Sequence, residues 1–352
     1  MIKILKRVFN FCFEEKRKEQ MRVKFMSFFV FQDKLLYKKA YIRMFKFILK
    51  QSIDGAKEYD YRGDKFLEKT KNEYIKYLIL NDQETNNNFQ YKECLDYIRK
   101  NGINIFCYNS INYKIYGEHD VFFDEESKLY WVYYQNKRLY LKRSINTVQS
   151  VLEVMNMLAA EQEPASPHCY VDDAFNVSEG DIVFDIGCAE GNFALSIVDL
   201  AEKIYMFEAD EEWIEALNYT FKPYKDKISI IPKFVSDKNA TNSISIDTFC
   251  DKNQIHRIHF MKMDVEGAEP DVLRGAEKLI GEGKIEKIVA CTYHNADDEN
   301  KIRQILCNFD CQTTPGFMQV AGRNEIWEIK KPYFLPALVR CRCQAERING
   351  KD

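Results

Sequence analysis

The run Asp185-Ile186-Gly187-Cys188-Ala189-Glu190-Gly191 has the residue types of a ligand-cradling loop. Gly187 and Gly191 permit a tight turn and a close backbone approach without a Cβ clash. The helix expected from Asn192, with Phe193 in its first turn, points free N–H groups and a positive dipole at the same place, where an anionic group fits. A dinucleotide site wants G-x-G-x-x-G; this loop has G-x-x-x-G with Ala189 at its centre. The Asp185 carboxylate would repel a pyrophosphate and favour a cationic ligand. S-adenosylmethionine, which carries a sulfonium and an ammonium, meets both conditions, and Glu190 could take that ammonium or face solvent.

The next apolar run ends in Phe207-Glu208-Ala209, with Glu208 placed 23 residues after Asp185. An acid about 20 residues beyond such a loop accepts hydrogen bonds from ribose hydroxyls. Ala209 and Trp213 follow and could line an adenine pocket. Val235-Ser236, after the third expected strand, falls where the adenine edge lies in this kind of fold.

Three residues could handle the acceptor's proton. Asp264 ends the fourth expected strand, Glu266 follows on the turn, and His294 stands just past the fifth strand in Thr292-Tyr293-His294-Asn295. Methyl transfer needs in-line geometry, and an alcohol acceptor gains from a base. An imidazole titrates near neutrality. Each residue also has a structural reading: cap, surface acid or hydrogen-bonding histidine. Acids at Asp264, Glu266 and Glu269 do not by themselves indicate a metal, and none is expected. His168 lies a short way before the first strand, close enough in sequence to reach the cleft.

Asp185–Gly191, Glu208 and the segment Lys262-Met263-Asp264-Val265-Glu266-Gly267-Ala268-Glu269, continuing to Leu273 and Gly275, resemble the FkbM-type methyltransferases. That family shows a D-x-G-A-N-x-G loop and a D-V-E-G-x-E-x-x-V-L-x-G segment. The resemblance covers about residues 180–330 and implies a class I methyltransferase fold and O-methylation, often of sugars or natural products. The loop departs from the pattern at Cys188-Ala189-Glu190, where the asparagine is missing and a charge is added.

The elements that must position these residues follow from periodicity. Strands are expected at Ile182–Ile186, Lys203–Phe207, Ile228–Ile231, Ile258–Met263, Ile285–Thr292 and Glu325–Ile329. Helices are expected at Asn192–Leu200, Glu211–Phe221, Glu269–Ile280 and Asp298–Cys307. Such alternation predicts an α/β fold, a parallel Rossmann-like sheet with helices on both faces. Upstream, β-prone runs at Ile103–Cys107, Lys114–Tyr116, Val121–Phe123, Leu129–Tyr134 and Arg138–Lys142 predict an antiparallel meander, followed by a helix over Thr147–Gln162. Before it, residues 1–80 read as a basic, aromatic-rich helical arm. The resulting division is an arm (1–80), an accessory β-meander and helix (89–165), a methyltransferase domain (166–331) and a C-terminal tail (332–352).

The net charge of −3 hides an asymmetry, for residues 1–50 hold 14 Lys/Arg against four acids. Such an arm suits an anionic membrane surface, though a solvated helical face reads the same way. The acidic remainder argues against a nucleic-acid partner. No apolar run reaches the ~18 residues of a membrane span. Eleven cysteines without a C-x-x-C pair predict reduced thiols. Together these lead to the expectation of a cytoplasmic enzyme, peripheral at the inner membrane face, acting on a small-molecule or glycan acceptor. Two alternatives stay open: a degenerate methyltransferase fold used for binding, and a Rossmann-type enzyme with a nicotinamide cofactor.

Overall fold

A computed structural model describes residues 72, 75–76, 78–82, 88–108, 119–321 and 331–344. Apart from fragments of residues 72–80, the expected helical arm lies outside the described residues, as do the strands expected at Lys114–Tyr116 and Glu325–Ile329. The chain forms two compact units. In the smaller, Ile75, Ile79 and Ile98 are buried and Lys331 pairs with Asp82 at 2.6 Å. The larger holds nearly everything from Ile105 to Met318 and the strand that follows.

After helix α1 (Phe89–Asn101), strands β1 (Val121–Asp124), β2 (Leu129–Tyr134) and β3 (Lys137–Tyr140) form the expected antiparallel meander. Its two turns have separate causes. The Asp124 carboxylate accepts from the Glu126 N–H and the Ser127 hydroxyl, bending the first. Gln135 and Asn136 both take positive φ (46° and 63°), the two-residue hairpin geometry that matches strand twist. Ile103–Cys107 forms no strand; only Phe106 makes a bridge, to Met318. Helix α2 (Val148–Gln162) starts at Thr147, which exchanges capping hydrogen bonds with Ser150.

The remaining chain alternates as expected: β4 (Ile182–Ile186), α3 (Asn192–Ile197), β5 (Lys203–Phe207), α4 (Glu211–Thr220), β6 (Ile228–Ile231), the two-residue β7 (Phe234–Val235) and β8 (Ser243–Ile244), α5 (Ile246–Asn253), β9 (Ile258–Met263), α6 (Glu269–Arg274), α7 (Glu277–Gly281), β10 (Ile285–Cys291), α8 (Asp298–Ile305), β11 (Phe309–Thr313), β12 (Met318–Gln319), β13 (Phe334–Leu335) and β14 (Leu338–Cys343). The main sheet runs β11-β14-β10-β9-β4-β5-β6. From β4 the chain moves outward to β6, then returns to lay β9 against the other side of β4. The strand order therefore reverses between β4 and β9, and ligands bind outside the carboxyl ends of strands at such a switch. Buried Phe184, Ile186, Phe207, Phe249, Met261 and Ile288 form part of the core, each contributing about 1.5–3 kcal/mol through burial.

Three expectations need correction. The sheet is mixed, because β14 runs antiparallel to both β10 and β11. This strand comes from the stretch read as a tail; Arg340 and Arg342 interrupt its apolar pattern, but they lie over the Phe175 ring while Val339 and Cys341 are buried. The thiols are not all reduced: Cys311 and Cys341, opposite one another on β11 and β14, form a disulfide. They are 30 residues apart in sequence, and only the insertion of β14 brings them together. Finally, the helix expected over Glu269–Ile280 is broken at Gly275-Ala276 into α6 and α7. A Cβ on Gly275 would stand 2.3 Å from the Ser236 carbonyl oxygen, so the break lets the chain pass close to that loop.

Candidate active site

The glycine loop leaves β4 under tight constraint. Gly187 has φ 69°, and a Cβ there would fall 2.0 Å from the backbone oxygen of Asp264. The ends of the two switch-point strands thus meet backbone to backbone, which only glycine permits. The Phe207 carbonyl accepts from the N–H groups of Gly187 and Cys188 at 2.9 and 3.2 Å. Gly191, at φ 80°, caps α3, and its Cα packs against Leu217, Phe221 and Met206. Ala189 also takes a left-handed φ, 44°. It occupies the asparagine position of the resembled motif, and asparagine adopts this conformation more readily than alanine does.

Behind the loop, Lys262 and Asp185 form a buried ion pair at 3.1 Å. Lys262 Nζ also donates to the Gly187 carbonyl at 2.7 Å and lies 5.1 Å from the centre of the Tyr170 ring. Burial opposes the charge on Lys262, but Asp185 and then Asp264 raise its pKa. Burial pushes the Asp185 carboxyl up, with Lys262 pulling it back. Asp185 is 0% exposed and does not line the adjoining cavity. Its observed partner is the lysine of β9.

That cavity has a volume of about 350 Å³ and is bordered by Gly187, Ala189, Glu208, Ala209, Trp213, Phe234, Val235, Asp264 and Glu266, among others. Three backbone N–H groups fix the Glu208 carboxylate: Ala209 and Asp210 donate to Oε1 at 2.7 and 2.8 Å, and Ala189 donates to Oε2 at 2.9 Å. Phe234 is 60% exposed at the wall. Lys142 pairs with Asp210 at 2.8 Å and lies over the Trp213 ring. Ser236 is not on the lining; its hydroxyl donates to Asp237. Phe193 is also off it, buried against Tyr170 and Phe260. Glu190 is half-buried beside the loop, and burial, reinforced by Glu161, pushes its carboxyl up to about 8.

At the other end of the cavity Asp264 is flanked by two histidines, each backed by a glutamate. His294 Nδ1 lies 3.2 Å from Glu269 Oε1, and its Nε2 lies 3.6 Å from Asp264 Oδ1 and 3.3 Å from Glu266 Oε2. On the opposite side, His168 Nδ1 lies 2.9 Å from Glu161, and its Nε2 lies 3.9 Å from Asp264 Oδ2. Tyr170 donates to Asp264 Oδ2 at 2.9 Å. Burial works against the Asp264 charge, but Lys262, the two histidines and Tyr170 hold its carboxyl below the usual carboxylate range. Burial alone would lower the His294 pKa; Glu269 above all, then Asp264 and Glu266, raises it. Glu266 has φ 56° and Gly267 φ 97°, a left-handed pair that turns the chain beside His294 and Asn295. The Glu266 side chain is 89% exposed.

The structure therefore brings Asp264, Glu266 and His294 together, and His168 with them. Sequence reasoning missed Lys262, Tyr170 and the role of Glu269. The last had a signal, an acid five residues after Asp264 within the motif. Ligand-capable atoms of Asp264, Glu269 and His294, and of His168, Asp264 and Cys291, lie within 4.8 Å of one another. In the first set the His294 imidazole lies within ion-pair distance of both carboxylates. In the second, burial pushes the Cys291 thiol up, with Asp264 and Glu269 adding to the shift. A larger hollow of about 610 Å³ lies on the meander, but the glycine loop, Glu208 and Asp264 converge on the smaller one, so the site is assigned there.

Fold and site define a class I methyltransferase architecture. Residues 227–312 match the methyltransferase FkbM domain family. The match includes Asp264, Glu269 and His294 but not the loop at Asp185–Gly191. Among solved structures, the chain is similar to methyltransferase FkbM from Methylobacillus flagellatus KT (19% identity, 56% of this chain and 54% of that one, TM-score 0.38). It thus spans about half the length of that protein. It is also similar to an rRNA methylase from Streptococcus thermophilus (14%, 47% and 89%, TM-score 0.32) and to TrmK from M. capricolum in complex with S-adenosyl-homocysteine (10%, 48% and 64%, TM-score 0.34). No curated protein matches the chain.

Proposed function

We propose that this protein transfers a methyl group from S-adenosylmethionine to a hydroxyl of a sugar, glycan or related surface-polymer precursor. The observation that carries the reading is the cavity with the backbone-fixed Glu208 carboxylate at one end and the ionised Asp264 at the other. Its volume is within the range of small-molecule sites, roughly 300–1,000 Å³. The bound cofactor would supply an electrophilic methyl on a sulfonium. Glu208 would accept from ribose hydroxyls, Phe234 and Trp213 would border the adenine, and Asp264 would favour the positive charge. His294, with Nδ1 held by Glu269, would take the acceptor's proton at Nε2. The hydroxyl and glycan choice draws on the family resemblance.

Calorimetric titration tests the cofactor. S-adenosylhomocysteine should bind to the wild type and at least tenfold more weakly to Glu208→Gln, while a nicotinamide dinucleotide should not bind. The reverse preference would sink the proposal. The Ala189-Glu190 departure favours a second reading, a methyltransferase fold that binds without transferring; retained cofactor binding with no transfer to any glycan extract would support it. The basic residues 1–50 would bring the enzyme to an anionic membrane surface. Flotation with anionic vesicles should carry the whole chain but not a form lacking those residues.

A further inference from the structure

The hollow of about 610 Å³ on the meander has no part in the chemistry above. It lies on one face of the meander and is closed at one end by the last turn of α4 and the residues that follow. Phe122, Trp131 and Tyr140 are direct cross-strand partners, and Tyr133 is two residues from Trp131, so all four share that face. With Tyr219 of α4 they make a row of rings: Tyr133 to Trp131 at 5.1 Å, Trp131 to Tyr140 at 6.2 Å, Tyr140 to Tyr219 at 5.5 Å. Arg138 lies 4.5 Å over Trp131. Tyr133, at the open end, is 51% exposed.

We infer that this groove binds a neutral oligosaccharide chain. Sugar rings offer C–H faces to aromatic rings and hydroxyls to a polar rim; this groove offers exposed Tyr133 and Phe123 and half-buried Tyr219, backed by Trp131 and Tyr140, which are themselves buried. Its charges cancel: Asp124, Glu125 and Glu126 stand against Lys137, Arg138 and Lys222. Lys137 is paired with Asp199, and the Asp124 carboxylate is taken up by its own turn and Tyr140. A nucleic acid or acidic polymer needs a net positive surface, which the rim lacks. Helix α4 links the two hollows, with Asp210 and Trp213 in the cofactor cavity and Tyr219 and Thr220 in the groove. At 1.5 Å per residue, Trp213 and Tyr219 are about 9 Å apart along the helix. A polymer held in the groove stays on the molecule that carries the reactive site, which raises its local concentration. That use rests on the acceptor reading above; the binding does not.

Affinity electrophoresis of the full chain, in native gels containing dextran, mannan, galactomannan, xyloglucan or heparin, tests the inference. The wild type should be retarded in at least one neutral polysaccharide. Tyr133→Ala should weaken that retention at least fivefold, Tyr133→Phe should keep it, and Phe89→Ala, an exposed aromatic elsewhere, should not change it. No retention in any neutral gel, retention by heparin alone, or equal retention of Tyr133→Ala would overturn it. S-adenosylhomocysteine titration of the same proteins separates the two proposals: lost cofactor binding with kept polysaccharide retention would end the methyltransferase reading and leave the groove standing.

Discussion

Glu269, with no solvent exposure, sets its carboxylate 3.2 Å from Nδ1 of His294. A carboxylate there favours the tautomer with the proton on Nδ1 and leaves Nε2, which faces Asp264 and Glu266, as the nitrogen that takes a proton. It also raises the pKa of His294, so the neutral, basic imidazole forms above the ordinary ~6.5. The rate should therefore rise with pH through a pKa above that value. His294→Ala should lower kcat about 10²–10⁴-fold with S-adenosylhomocysteine binding unchanged. Glu269→Gln should lower kcat and move the rising limb toward lower pH. A flat profile between pH 6 and 9 would remove His294 from the proton path.

The Asp185–Lys262 pair sits in the core below the loop. Lys262→Met leaves a buried carboxylate without its partner and should cost about 3–5 kcal/mol, measured by urea unfolding. Adding Asp185→Asn should recover a large part of that loss. If the single variant unfolds like the wild type, the pair does not hold the loop.

Gly187→Ala and Ala189→Asn should act in opposite directions. The first forces a Cβ onto the Asp264 backbone at left-handed φ and should abolish cofactor binding, with a loss of more than about 2 kcal/mol in stability. The second replaces an alanine at φ 44° with a residue that tolerates that region and should stabilise by about 0.5–1 kcal/mol. Thermal melts of the two variants check both signs.

Strands β2, β4, β5, β6 and β9 lie where the sequence pattern puts them, residue for residue. Each is an apolar or β-branched run closed by turn residues, so local chemistry sets its ends. Helix α5 and strand β14 escaped notice. The eight residues of α5 include only three buried positions, and β14 carries arginines whose partners lie some 170 residues back. The site shows the same divide. Glycines and acids at loop spacing were legible, whereas the role of Lys262 depends on Asp185, 77 positions earlier, lying beside it in the fold.

Strand β14 fills the gap between β10 and β11, yet 24 residues lie between the end of β11 at Thr313 and its start at Leu338. On the ribosome, at roughly 5–20 residues per second, β11 and the outer edge of β10 wait about one to five seconds for their shared neighbour. Unpaired strand edges are templates for foreign strands. Nascent chains halted in that interval are where chaperone capture or co-aggregation should concentrate, and slow codons between the two strands would lengthen it.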